Sequence, residues 1–465
     1  MSPYFGPPDF AAVEGLRRGE AALDLVSLAD VLRNGFVYPP HSIFEDVKVA
    51  TFGFDPAQDM RIQPEFRFGF RDAGKRGRRD DETDWVGAYH QRLSDAYGRA
   101  CSGMRSPWLL QSGGKDSTPL AIVAAEARPD TTCITYLGGS EENEIESAKF
   151  IARKLGLRHE SLVCDPGRAY DRYLAHLGRM PLLTADFALL SYMDLATTIA
   201  ESGGDGVVDG MGADNYFGIP VGPQHYWLSR LAREVRLPAW LMELPLLGRS
   251  FKACYALATL QMNPVERIFP GSRFSNAEVD ALFGRPIAER SRARLELFGE
   301  ELASATSDDE RVAMALTVAG ATGGFAKGLC SAEALSLVAA YPFCDAELRE
   351  WVYREVPSSQ MIDPATRTSK ILMRRHIATR FDALPYVRKK GSFRFDLCGL
   401  AARRFDRVHA FAAEAADVLP GARPWLDRNR KRLHNKYHAS KFYLLAVVLP
   451  WLTERGGQPD RRTAE

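Results

Sequence analysis

The chain has 465 residues, of which 46% are hydrophobic, and its formal net charge at pH 7 is +1. That hydrophobic content is enough for buried cores, and the balanced charge gives no reason to expect nucleic-acid or membrane binding. No N-terminal signal pattern is visible. The longest apolar run, Phe442–Leu452, is shorter than the roughly 20 residues of a membrane-spanning helix. We therefore predict that this run is a buried helix.

The cysteines are odd in number and scattered, with no Cys-x-x-Cys pair and no cluster with histidine. They are Cys101, Cys133, Cys164, Cys254, Cys330, Cys344 and Cys398. This distribution argues against a zinc or iron–sulfur site and against a disulfide framework. It predicts a reduced, cytoplasmic protein.

The first 85 residues combine glycines and prolines with short β-like runs such as Val47–Phe52, which predicts a small β-rich segment. Arg67–Arg79 is a basic, glycine-containing run that acidic residues follow directly. A solvated linker is the ordinary interpretation of such a run, and a docking patch for an acidic carrier or partner protein is the alternative. A helix predicted over Trp85–Cys101 leads into the next part of the chain. A second basic run, Arg428–Lys436, is interpreted as a solvated face.

From residue 107 to 220 the pattern alternates between strands and helices. The predicted strands are Trp108–Gln111, Thr132–Leu137, Glu160–Cys164 and Gly206–Asp209. The predicted helices are Ser117–Ala127, Glu141–Leu155 and Leu189–Ser202. Such alternation predicts an α/β fold with a doubly wound parallel sheet, whose ligands bind at the carboxyl ends of the strands. Residues 221–465 are mostly helical by pattern.

The loop after the first of these strands reads SGGKDS over Ser112–Ser117. Its two glycines let the backbone curl and bring N–H groups up to a ligand, and the following helix adds the partial positive charge of its N-terminus. Asp116 adds a carboxylate, which suits a metal ion bound together with an anion. An ordinary capped turn is the alternative interpretation. We predict nucleotide binding by Ser112, Gly113, Gly114, Asp116 and Ser117.

The letters SGGKDS resemble the signature of the PP-loop ATP pyrophosphatases, which cleave ATP to AMP and pyrophosphate. They lack the GxxxxGK[ST] spacing of a Walker P-loop. Features further along the chain resemble the synthetase domain of class B asparagine synthetases, a group that includes β-lactam synthetase. This resemblance implies an adenine nucleotide alpha hydrolase-like domain over residues 86–465. Residues 1–85 then correspond to a truncated remnant of the family's glutaminase domain and a linker, so no glutaminase activity is expected.

The resemblance also assigns residues in a second loop. Residues 209–215 resemble the family's SGEGADE motif, in which the Asp binds Mg²⁺ opposite the PP-loop Asp. This implies that Asp214 and Asp116 are metal ligands and that Gly210 belongs to the nucleotide site. Pro181 and Asp186 match family landmarks, which we interpret as markers of the fold.

Two lysines complete the site that the resemblance implies. Lys370 matches the lysine of the family's KxxLR motif, and Lys390 matches the lysine of its RxKxxF motif. In the relatives these lysines contact the phosphates and the pyrophosphate leaving group, a role that suits a compact cation on a flexible stem. Lys115, inside the PP-loop, is a third catalytic candidate. The segment from Phe325 to Tyr341 resembles a family helix that ends at a PFLD sequence.

The sequence departs from the family where a general base is expected. Met211 stands where asparagine synthetases have Glu and β-lactam synthetase has Tyr, and Leu329 falls near the position of a second acid. A base could come instead from Tyr216, His225 or Lys115. An apolar pocket also suits a bulky acyl group or a neutral nucleophile.

These features predict an ATP- and Mg²⁺-dependent amide ligase that forms AMP and pyrophosphate. Its substrates would be a small-molecule or peptide carboxylate and an amine, which is intramolecular, external or ammonia. A role in specialised-metabolite, peptide or sugar-acid biosynthesis fits better than central nitrogen metabolism. Two alternatives stay open: an adenylating thiol or sulfur transferase, and a nucleotide-binding partner subunit without catalysis.

Overall fold

The computed structural model describes most of the chain. The described residues are 22–45, 47–51, 53–54, 64–67, 84–138, 144–218, 250–262, 266, 274–305, 307–382 and 395–456. The basic run Arg67–Arg79, interpreted as a linker or a docking patch, therefore lies outside the described residues except for its first position. Lys390 and His225 lie outside them as well.

A five-stranded sheet forms the centre of the described structure, with the strand order β3-β2-β1-β4-β5. The strands are β1 Pro107–Leu110, β2 Thr132–Leu137, β3 Arg158–Val163, β4 Gly206–Val208 and β5 Val338–Ala340. Every pair of neighbours is parallel. The chain runs outward from β1 to β3 on one side and then from β4 to β5 on the other. The order therefore reverses between β1 and β4, and the loops after these two strands lie side by side at the carboxyl edge of the sheet.

Helices make up most of the remaining described structure. They are α1 Leu25–Asn34, α2 Trp85–Ala100, α3 Ser117–Ala127, α4 Glu144–Lys154, α5 Pro166–His176, α6 Leu189–Glu201, α7 Ala213–Phe217, α8 Phe251–Gln261, α9 Asn276–Phe283, α10 Ala288–Ala293, α11 Gly299–Ala303, α12 Asp308–Ala319, α13 Phe325–Ala334, α14 Ala346–Arg354, α15 Ile371–Ala378, α16 Leu397–Glu414, α17 Ala422–Asn429 and α18 Lys436–Gly456. A π-helical turn over Gly320–Gly324 joins α12 to α13.

Both faces of the sheet are covered by helices. Side chains of β1 alternate between the faces, as the period of a strand requires. Leu109 packs in one hydrophobic cluster with Leu120 of α3, whereas Trp108 and Leu110 pack in another with Leu195 of α6. This arrangement confirms the predicted α/β class with a doubly wound parallel sheet and a helical C-terminal part.

The predicted elements between residues 85 and 209 are confirmed. Helix Ser117–Ala127 and strand Thr132–Leu137 have the predicted bounds, and the other ends that fall on described residues differ by at most two positions. Strand β5 was not predicted. It interrupts the helix expected from Phe325 to Tyr341, since α13 ends at Ala334 and β5 pairs with β4 through Val207 and Ala339. A three-residue, alanine-rich strand carries no β pattern of its own, so only this pairing defines it.

The N-terminal segment differs from the β-rich prediction. Its described residues contain α1 and isolated bridges, Leu23 with Phe44 and His41 with Lys48, and Val47–Thr51 does not form a regular strand. Helix α1 packs in one hydrophobic cluster with residues of α9, α10 and α18. Burial of the apolar side of α1 against these helices, rather than strand pairing, therefore orders this segment.

The apolar run Phe442–Leu452 lies in α18 and is buried throughout, and all of its residues except Pro450 belong to the same cluster. This confirms the prediction of a buried helix. Among the described residues, the continuous helical stretch Asp308–Ala334 is long and apolar enough to cross a membrane by length and composition. About half of its most apolar window, 47%, is buried inside the fold, and core helices often have these properties. The stretch is therefore weak evidence for a membrane span.

Candidate active site

The loop Ser112–Ser117 connects β1 to α3 and is held by its own hydroxyl groups. The Ser112 N–H donates to Ser117 Oγ at 3.1 Å, and the Gly114 N–H donates to Ser112 Oγ at 3.3 Å. Thr118 Oγ1 donates to the Gly114 carbonyl oxygen at 2.7 Å. The serines therefore tie the start of the loop to the first turn of α3. Lys115 lies in this loop and is half-buried.

Gly113 has a left-handed backbone, with φ of +64°. A Cβ atom at this position would lie 2.9 Å from Ser147 Oγ and 3.0 Å from the Ala148 nitrogen, both in α4. The loop therefore needs glycine for its conformation and also for its close approach to the neighbouring helix.

The second loop, Asp209–Asp214, follows β4 and touches the first. A Cβ atom on Gly210 would lie 3.3 Å from the backbone carbon and oxygen of Asp116. Asp209 shapes the loop, because its Oδ1 accepts the Met211 N–H at 3.1 Å and its Oδ2 accepts the Tyr192 hydroxyl at 2.6 Å. Asp116 precedes α3 and Asp214 lies in the first turn of α7, so both carboxylates are carried on helix starts.

Lys370 connects the two loops. Its ammonium group makes ion pairs with Asp116 Oδ1 and with Asp214 Oδ1. The lysine side chain is 2% exposed, whereas that of Asp214 is 49% exposed, so the cluster opens towards solvent on the Asp214 side. Lys370 itself has a left-handed backbone, with φ of +59°, immediately before α15. Such a conformation is strained for a lysine and is typical of functional positions.

The positions of Met211 and Leu329 agree with an apolar wall. Both are half-buried and pack against the same hydrophobic cluster. A Cβ atom on Gly324 would lie 2.6 Å from the Met211 methyl carbon, so the glycine makes room for this side chain beside the π-helical turn. Burial raises the pKa of Tyr216 well above its usual range, which makes this residue a poor proton acceptor.

The sequence did not predict an ion pair that forms near the second loop. Lys327 of α13 makes an ion pair with Asp186 Oδ1 at 3.2 Å, and its ammonium lies 5.1 Å from the centre of the Tyr192 ring. Asp186 was interpreted only as a marker of the fold. Lys327 lies in the segment that resembles a family helix, but the resemblance assigns it no role, and only the packing of α13 against α6 brings it to this place.

The donor set fits a divalent cation of the magnesium type. Asp116 and Asp214 present carboxylate oxygens to a single positive charge, and hard cations prefer such oxygen ligands together with water and phosphate. Within the described residues, no group of three or more His, Cys, Asp or Glu side chains is placed so that it could hold a metal ion by itself. The two aspartates would therefore bind the ion jointly with a phosphate ligand.

A parallel sheet with a PP-loop, a facing carboxylate and a buried lysine forms a site that suits a nucleotide. The family model described as Asparagine synthase matches residues 88–444, so the chain belongs to this family and to the ATP-using ligases of the PP-loop type. No curated protein matches the sequence significantly.

Two of the solved structures that match are synthetases. The NMN synthetase from Francisella tularensis is 15% identical, with a TM-score of 0.23, and the match covers 47% of this chain and 94% of that chain. The NH₃-dependent NAD synthetase from Campylobacter jejuni is 17% identical, with a TM-score of 0.24, and the match covers 51% of this chain and 93% of that chain. At these scores the likeness carries no argument about the site.

Replacing Gly113 by alanine is expected to lower ATP affinity at least tenfold and the free energy of unfolding by about 1–2 kcal/mol. The added methyl group strains the backbone and pushes the loop away from Ser147. Gly156→Ala is a matched control, because Gly156 has φ of +73° but nothing within 4 Å of the added carbon. It should lose stability and keep its ATP affinity. Calorimetric titration and urea unfolding measure the two effects, and an equal loss of affinity in both variants would contradict the prediction.

Proposed function

We propose that this chain is an AMP-forming amide ligase, which activates a substrate carboxylate with ATP and joins it to an amine. The observation that carries the proposal is the contact of Lys370 with both Asp116 and Asp214 beside the PP-loop. Two carboxylates and a lysine at the switch point of a parallel sheet suit a nucleotide bound with a divalent cation.

In the first step, a carboxylate oxygen of the substrate attacks the α-phosphorus of ATP, and the bond to the bridging oxygen of pyrophosphate breaks. Negative charge grows on the leaving group, which the N–H groups of the PP-loop and the N-terminus of α3 stabilise. Lys370 supplies a buried positive charge, and the resemblance gives Lys390 a similar role. Mg²⁺ held by Asp116 and Asp214 would neutralise charge on the phosphates.

In the second step, an amine attacks the acyl carbon, and AMP leaves with the electron pair of the broken carbon–oxygen bond. Met211 and Leu329 offer no proton acceptor, so the reactions of asparagine synthetases and β-lactam synthetase are not proposed for this chain. Their apolar side chains instead suit a bulky acyl group from a specialised metabolite, a peptide or a sugar acid. The amine is intramolecular, external or ammonia.

The sulfur-transfer alternative lacks a reactive thiol near the site among the described residues. Cys344 lies against the second loop, since a Cβ atom on Gly212 would be 2.8 Å from its Sγ. Burial raises the pKa of this thiol to about 12, so it stays protonated at neutral pH. All seven cysteines have free thiols.

Incubation with Mg-ATP and a panel of carboxylates and amines is expected to release AMP and pyrophosphate in equal amounts. The release of both products should depend on the acid, and mass spectrometry should show that the acid has become an amide. Glutamine is included as a nitrogen source, and we expect it not to replace a free amine. Release of ADP and phosphate would refute the proposal, and nucleotide binding without any turnover would favour a non-catalytic subunit.

A further inference from the structure

Asp186, three residues before the start of α6, presents a partly exposed carboxylate. Its Oδ1 accepts the Ala188 N–H at 2.9 Å and makes the ion pair with Lys327. Within the described part of the chain, Oδ2 has no hydrogen-bond partner. The Asp186 side chain is 31% exposed, whereas that of Lys327 is 10% exposed. A ligand can therefore reach the free oxygen of the carboxylate but hardly reaches the lysine.

A chain of contacts joins this carboxylate to the reaction loops. The Lys327 ammonium lies over the ring of Tyr192, and the Tyr192 hydroxyl donates to Asp209, which fixes the loop of Met211. Gly324, one helical turn before Lys327, packs against the Met211 methyl group. Residues three apart share one side of a helix, and the π-helical turn continues directly into α13, so Lys327 lies on the same side of this helical stretch as Gly324.

We propose that Asp186 binds the incoming amine and accepts its proton, with Lys327 as the residue that positions it. This assignment rests on the proposed amide ligase. The amine nitrogen forms a bond to the acyl carbon, the bond from that carbon to the phosphate oxygen breaks, and the electron pair leaves with AMP. The proton released by the amine passes to Oδ2 of Asp186 and then to solvent.

Among the described residues, the side chains that contact Asp186 or lie beside its ion pair are a lysine and two tyrosines. The groups that face it are Lys327 of α13, Tyr192 of α6 and Tyr443 of α18, whose hydroxyl donates to the Asp186 carbonyl oxygen at 2.8 Å. Burial raises the pKa of both tyrosines well above the usual range, so they stay protonated. The ion pair with Lys327 fixes the carboxylate on one oxygen and leaves the other for the amine.

The test separates activation of the acid from transfer to the amine. Exchange of labelled pyrophosphate into ATP with an acid of the panel reports activation alone, and amide formed with methylamine reports transfer. Asp186→Asn should keep exchange within threefold and lose at least a hundredfold in transfer, the usual contribution of a general base. Asp186→Glu should recover part of the transfer rate. Asp171→Asn, which removes another partly exposed carboxylate in an ion pair with Arg404, is the matched control and should change neither rate.

Hydroxylamine is uncharged at neutral pH. Comparing its rate of amide formation with that of methylamine therefore distinguishes a proton acceptor from a residue with only a structural role. Hydroxylamine should react in the Asp186→Asn variant much closer to the wild-type rate than methylamine does. Equal losses in exchange and transfer, or equal losses with the two nucleophiles, would overturn the assignment. Absence of acid-dependent exchange in the wild-type chain would instead refute the proposed function, and the assignment would fall with it.

Discussion

Replacement of Lys370 by methionine is expected to lower acid-dependent pyrophosphate exchange by about a hundred- to a thousandfold, the usual effect of removing one preorganised charge-stabilising group. Methionine keeps an unbranched side chain, one heavy atom shorter than that of lysine, and removes the charge. Asp116 and Asp214 would then face each other without the cation that contacts both. The maximal rate of exchange should decrease much more than the acid concentration at half-maximal rate changes, because the lysine acts on the phosphates and not on the acid.

Lys441→Met is the matched control for this variant. Lys441 is also buried and contacts one carboxylate, that of Glu278, at 2.7 Å, but it lies in α18 away from the loops. Removing it should lower the free energy of unfolding by about 3 kcal/mol and leave exchange per folded molecule unchanged. If Lys370→Met loses stability and keeps its exchange rate, the lysine has only a structural role.

Replacement of Asp116 or Asp214 by asparagine is expected to abolish measurable exchange at ordinary Mg²⁺ concentrations. Asparagine keeps the shape of each side chain but removes a negative charge that hard cations require. Raising Mg²⁺ should recover more activity for Asp214→Asn than for Asp116→Asn. The reason is exposure, because the half-exposed Asp214 can be replaced by a water ligand more easily than Asp116, which is 16% exposed.

Circular dichroism and urea unfolding of both variants provide the control, and each should stay folded. Asp209→Asn tests the specificity of the effect. The Asp209 carboxylate accepts hydrogen bonds from the Met211 N–H and the Tyr192 hydroxyl, and we do not assign it to the metal ion. This substitution should not change the dependence on Mg²⁺. Unchanged exchange in Asp116→Asn and Asp214→Asn would refute the metal assignment.

Local patterns predicted the PP-loop side of the site well. The letters SGGKDS follow a strand and precede a helix, and each of these neighbours has a strong pattern of its own. The second loop was also recognisable, because Asp209–Asn215 follows a predicted strand of the same sheet. Parallel strands bring their carboxyl ends to one edge, so the meeting of Gly210 with Asp116 follows from topology.

The N-terminal segment and β5 show where such patterns fail. The apolar residues of α1 are compatible with several structures, and burial against α9, α10 and α18 selects the helix. Strand β5 has three residues, and its pairing with β4 outweighs the helical preference of its two alanines. In both places a distant partner decides the local structure.

The sequence by itself determined the fold class, the two loops and the identity of the charged residues, because these depend on short-range periodicity and on motifs. The tertiary structure alone decided that Lys370 lies between Asp116 and Asp214, which are 254 and 156 positions away along the chain. It also decided that Lys327 pairs with Asp186. The sequence does not show which carboxylate a lysine will contact when the two residues are far apart along the chain. That contact depends on how the helices pack around the sheet.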